Sequence, residues 1–175
     1  MSTLKVSTIS PLGTDATKTI TIGSHSNGDT AAGVFTNVPA FHAYLATASQ
    51  SIADETHTVI QYNATTLDTN SAFNTSTYRF TPAVSGKYFL YAQGNMNASA
   101  KMMLHIRKND TRIFTGRDRG GGNTADQTVA SNGIIEANTT DYFDVTFYQD
   151  SNGSINLAGN DVFKTFFGGY RVIGA

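Results

Sequence analysis

Short runs of alternating apolar and polar residues recur along most of this 175-residue chain, and no window sustains an apolar period near 3.6. From Pro39 onward the runs come roughly every ten to fifteen residues: Phe41 to Ala46, His57 to Tyr62, Thr77 to Thr81, Lys87 to Gln93, Lys101 to Lys108, Arg112 to Gly116, Thr128 to Ala137, Tyr142 to Gln149, Ser154 to Leu157 and Phe163 to Ile173. Gly, Asn and Asp clusters separate them. The pattern predicts an all-β chain of about ten short strands packed as a sandwich.

Some runs carry apolar side chains on both faces. In Tyr142 to Tyr148, one face holds Phe143, Val145 and Phe147, and the other holds Tyr142 and Tyr148. In Lys101 to Arg107, Met102, Leu104 and Ile106 suit a core, which leaves Met103 and His105 opposite. A sandwich core uses one face only. The second face is therefore expected to be a subunit interface built from Met103, His105, Tyr142, Tyr148 and, in the last run, Tyr170.

Residues 1–38 follow another pattern. Leu4, Val6 and Ile9, then Ile20 and Ile22, form two short alternating runs around the turn Pro11-Leu12-Gly13-Thr14-Asp15. Each run is too short to bury a core alone. Gly23 to Gly33 is polar and rich in small residues, as in a linker. The expected organisation is an attachment arm and linker over 1–38, with Leu4, Val6, Ile9, Ile20 and Ile22 as anchoring residues, followed by one domain over 39–175.

Composition narrows the function. Charged residues make up 14% and the net charge is -1, without the basic surplus that neutralises phosphate backbones, so neither nucleic acid nor an anionic membrane is an expected partner. Cys is absent, so stability must come from packing or assembly. The start, Met1 to Thr8, lacks the charged and apolar regions of a secretory signal, which predicts synthesis in a cytosol.

The stretch Phe80-Thr81-Pro82-Ala83-Val84-Ser85-Gly86-Lys87-Tyr88 joins a strand end, a Pro-containing turn and a Gly-led strand. With Pro39 to Leu45 as an opening strand, Phe73 to Phe80, Leu104 to Asp110, the turn Asn138 to Asp141 and the closing Phe166-Phe167-Gly168-Gly169-Tyr170, it resembles in order the globular head domain of complement component 1q and the related tumour-necrosis-factor-like folds. Leu90 and Ala92 depart from the aromatic residues usual in that family. The resemblance implies a ten-stranded jelly roll that packs as a homotrimer and binds other molecules without catalysis.

Candidate chemistry is sparse. His25, His42, His57 and His105 lack metal-ligand spacing, and no nucleophile elbow or phosphate loop occurs. No cofactor is expected; relatives' use of calcium points at most to the loop residues Asp118, Asp126, Asp150 and Asp161. The loop around Arg117, Asp118 and Arg119 pairs guanidinium groups with a Gly run, which suits carboxylates or sulfates of surface glycans. A glycan-cleaving enzyme needs paired carboxylates, and only Glu55 and Glu136 supply Glu.

The arm's Leu-Lys-Val-Ser-Thr-Ile run is similar to the starts of phage fibre-type proteins. The expected function is that of a virion structural and adhesive protein: a trimeric fibre, tip or capsid-decoration subunit that is made in the host cytoplasm, is anchored through its arm to another virion protein, and displays its head to a host-surface glycan or protein. The alternative is a secreted cellular binding module, lectin-like or cytokine-like.

Overall fold

The computed structural model describes residues 38–96, 100–118 and 127–172, all within the unit Asn37–Ala175. Among these residues there is no helix, and thirteen strands form two antiparallel sheets, a jelly-roll sandwich. The first sheet holds β1 (Ala40–Tyr44), β2 (Ser49–Ile52), β4 (Ala64–Asp68), β7 (Gly86–Met96), β10 (Gln127–Ala137), β12 (Ile155–Ala158) and β13 (Phe166–Arg171), in the order β2-β12-β7-β13-β1-β4, with β10 on the other edge of β7. The second holds β3 (Thr58–Val59), β5 (Phe73–Asn74), β6 (Arg79–Phe80), β8 (Met102–Lys108), β9 (Thr111–Asp118) and β11 (Phe143–Gln149), in the order β5-β6-β11-β8-β9, with β3 also on β11.

All ten predicted runs contain a strand, but His57 to Tyr62 and Thr77 to Thr81 shrink to two-residue pieces, and β2, β4 and β5 are additional. β2 reads Ser-Gln-Ser-Ile, with too little apolar alternation to announce itself. It is held partly by amide chemistry: Gln50 donates Nε2 to the Val59 carbonyl at 2.8 Å and accepts from the Gln61 N–H at 2.8 Å. β4 sits at a sheet edge with Thr65, Thr66 and Leu67 exposed, so burial leaves no pattern on it.

The core is aromatic. Phe41 stacks on Phe80 at 4.1 Å between centroids and meets Phe167 edge-on at 4.9 Å, while Phe80 contacts Tyr88 at 5.6 Å. Phe143, Val145 and Phe147 close it from β11, and Met102, Leu104 and Ile106 from β8, all fully buried. These are the six residues that the alternation assigned to a core. Burial of each contributes about 1.5–3 kcal/mol.

The β8–β9 hairpin turns on Asn109 and Asp110, whose φ values are 50° and 63°, with Lys108 opposite Thr111. Two successive left-handed residues give the turn whose twist matches antiparallel strands. Asn109 ties it to the loop before β11, since its Nδ2 donates to Asp141 at 2.8 Å and its Oδ1 accepts from the Tyr142 N–H at 3.0 Å. Asp141 also accepts from the Asn138 N–H at 2.7 Å and pairs with Lys108 Nζ at 2.9 Å.

The Asn138 amide first, then Lys108 and Asn109, lower the Asp141 carboxyl to about 2. A depressed carboxyl stabilises the fold above its unfolded pKa, ~3.9, and loses that contribution as pH falls through its folded value. Urea midpoints of Asp141→Asn should therefore fall less steeply than wild type between those two pH values. Parallel acid limbs would remove Asp141 from the account.

Candidate functional site

Alternation along β1, β13 and β7 puts Phe41, Ala43, Phe167, Tyr88, Leu90 and Ala92 inward, so their neighbours face away from the core. Strand register arranges those neighbours in rows. Ala40, Tyr170, Phe89 and Ile134 form one, and Leu67, His42, Gly168, Tyr91 and Asn132 the next. Tyr44, Phe166, Gln93 and Ala130 form a third.

The rings touch throughout. Phe89 lies 5.5 Å from Tyr170 and 6.1 Å from Tyr91, while Phe166 lies 6.0 Å from Tyr91 and 5.2 Å from His42. Gly168 makes room for this, because a Cβ there would fall 2.4 Å from the Tyr91 ring and hydroxyl. His42 fixes the Tyr91 end: its Nε2 donates to the Val162 carbonyl at 3.3 Å, so its Nδ1 accepts from the Tyr91 hydroxyl at 3.2 Å. Burial, then the neighbouring Tyr170, raises the Tyr91 phenol pKa. The patch continues to solvent at Tyr170, Leu67 and Ile134, which are 47%, 47% and 57% exposed. A contiguous aromatic face of this kind suits burial against another protein surface.

The outer face of the second sheet is charged. Arg107 donates Nε and Nη2 to the two carboxylate oxygens of Asp144, each at 2.7 Å, and the Asp144 side chain is only 2% exposed. Arg79 approaches Asp144 at 3.6 Å and Asp110 at 3.5 Å, and its guanidinium lies 3.9 Å over the Tyr142 ring. Removing the carboxylate leaves a half-buried guanidinium unmatched. Asp144→Ala should cost about 2 kcal/mol in urea unfolding; an unchanged midpoint would mean that Asp110 and water satisfy Arg107.

The residues expected to form one interface do not share a face. Met103, His105, Tyr142 and Tyr148 lie on or beside the outer face of the second sheet, and Tyr170 lies on that of the first. Partners within the chain occupy most of the four. Tyr142 donates its hydroxyl to Asp110 at 2.5 Å, Tyr148 packs 4.9 Å from the His57 ring, and His105 is fully buried with Nδ1 2.9 Å from Thr115 Oγ1. Burial first, then His57 and the arginines, lowers the His105 pKa to about 4.

Arg117 and Asp118 line a cleft of about 280 Å³ with Lys101, Met102 and Met103. Arg119, Asp126 and the arm residues Leu4, Val6, Ile9, Ile20 and Ile22 lie outside the described residues. Asp150 pairs with Lys101 at 2.6 Å and Asp161 caps the Phe163 N–H at 2.9 Å. Among the described residues no three carboxylate or imidazole groups gather as a metal site would require.

Comparison with known proteins agrees with this geometry. The family model for the C1q domain matches residues 40–172. Murine APRIL superposes with a TM-score of 0.61 at 14% identity, covering 78% of this chain and all of that one. Eiger TNF from S. frugiperda gives 0.60 at 13% identity over 79% and 94% of the two chains. The globular domain of zebrafish complement 1qA gives 0.58 at 14% identity over 78% and 98%. No curated protein matches the sequence.

Proposed function

The chain belongs to the C1q domain family, and on that premise we propose that it is a non-enzymatic, multivalent binding protein that assembles as a homotrimer through the aromatic outer face of its first sheet. The observation that carries this reading is the contiguous patch of His42, Phe89, Tyr91, Phe166 and Tyr170. Closed threefold symmetry lets three copies cover such a patch while the second sheet stays outward. Three weak sites held together then bind one surface with the avidity that none has alone.

The context that fits is a virus particle. Residues 1–38 attach the trimer to another virion protein, through Leu4, Val6, Ile9, Ile20 and Ile22, and the jelly roll projects toward a host surface. This part rests on the resemblance of the opening run to phage fibre-type proteins. Light scattering on the purified chain should give three times 18.7 kDa; a stable monomer at micromolar concentration would sink the assembly. Mass spectrometry of purified particles should find the chain, and its absence there would favour a cellular binding module.

A further inference from the structure

We propose that the outer face of the second sheet binds a sulfate or phosphate group in the cleft lined by His57, Arg107, Arg112 and Thr146, with Arg112 as the principal contact. The cleft encloses about 150 Å³, and Asp110 completes its lining. The inference rests on the proposed trimer in one respect only: assembly through the aromatic face leaves the second sheet, and this cleft, open to solvent.

Charge matching singles out Arg112. Asp110 and Asp144 face Arg79 and Arg107, so two carboxylates and two guanidiniums satisfy one another. Arg112 is exposed, and among the described residues it has no hydrogen-bond or ion-pair partner. Its placement comes from a bulge. The β8–β9 register shifts between Ile106 and Arg107, so that Arg107 faces Arg112 while Ile106 still faces Phe114. An extra residue in one strand re-aims side chains, and here it sets two like charges side by side, which costs stability unless an anion lies between them.

A second observation comes from a neighbour of the cleft. His105 is fully buried and spends Nδ1 on Thr115, while its Nε2 has no partner. Its ring lies 5.0 Å from that of His57, which lines the cleft. A buried polar atom without a partner is rare and points to a missing ligand or water. Arg107 keeps Asp144 and still offers its remaining N–H groups, Thr146 supplies a hydroxyl and His57 an imidazole. A tetrahedral oxyanion, with several acceptors, suits converging donors of this kind.

The histidines provide the readout. Burial first, then Arg112 and Arg107, lowers the His57 pKa. An anion beside those arginines cancels their effect. The other groups near the His57 ring are His105 and Tyr148, with Asp110 and Thr146 in the same cleft, and Arg117 acts on His105.

NMR of the histidine side chains in the full chain, titrated with inorganic sulfate, with inorganic phosphate and with acetate as control, tests the proposal. Sulfate or phosphate should shift the His57 and His105 signals saturably and raise the His57 pKa. Arg112→Gln should weaken binding roughly tenfold or more without lowering the melting temperature, and Lys87→Gln on the other sheet should leave binding unchanged. A sulfated disaccharide and a sugar phosphate, compared at equal concentration, distinguish a sulfated glycan from a phosphorylated one. No saturable shift at millimolar anion, an equal response to acetate, or binding unaltered in Arg112→Gln would overturn it.

Discussion

Gly116→Ala should destabilise the fold by about 3 kcal/mol or more, enough to lower the melting temperature by several degrees or to abolish soluble folding. Gly116 is buried in β9, and a Cβ built there would fall 1.9 Å from the Ala130 carbonyl oxygen and 2.7 Å from its carbon, both in β10. A flexible side chain could yield to a methyl group, whereas a strand backbone paired along its length with β7 cannot. β9 and β10 belong to different sheets, so this approach closes one side of the sandwich. The same seam carries Gly133, whose Cβ would meet the Phe114 ring at 2.3 Å. That ring can rotate, and Gly133→Ala should cost less. Gly153, with nothing within 4 Å, supplies the control. Equal melting temperatures for Gly116→Ala and Gly153→Ala would show that the seam opens freely.

The parts of this fold that could be read from the sequence are those in which burial imposes a period of two. β7 and β10 alternate in burial over eleven residues, and β8 and β11 alternate in their core apolar residues over seven, so both their existence and their inward residues follow from pattern. Where hydrogen bonds rather than apolar burial hold a strand, as Gln50 does for β2, no pattern results. Close approaches such as that of Gly116 to Ala130 join distant segments, and a lone Gly in a strand does not say what it makes room for.

The proposed interface lies on the first sheet, whereas four of the five residues that apolar patterning suggests lie on or beside the second. In β7 a second apolar face appears as Phe89 and Tyr91, opposite Tyr88, Leu90 and Ala92. Those outward rings pair with one another and with the rings of β1 and β13. By contrast, Tyr142 and Tyr148 satisfy themselves on Arg79, Asp110 and His57. Alternation tells which face a side chain takes, but not whether that face is covered from within the chain. The placement of Arg112 is hidden in the sequence for a related reason: a strict period of two would set Ile113, not Arg112, opposite Arg107, and only the bulge reverses that.

Phe89→Asp should convert the proposed trimer to monomer at micromolar concentration without unfolding it. Phe89 meets the outward rings of Tyr91 and Tyr170 and faces away from the core, so the core beneath is untouched. Each buried aromatic ring contributes about 1.5–3 kcal/mol to an interface, and the change removes three per assembly. It also sets three carboxylates into an apolar surface, where an unpaired charge costs more than the ring supplied. Met103→Asp is the discriminating partner, since Met103 lies on the opposite outer face, and there the mass should remain trimeric. Near-ultraviolet circular dichroism and urea midpoints establish that both variants fold. A trimer that survives Phe89→Asp and dissociates in Met103→Asp would move the interface to the second sheet, and with it close the cleft where Arg112 is proposed to act.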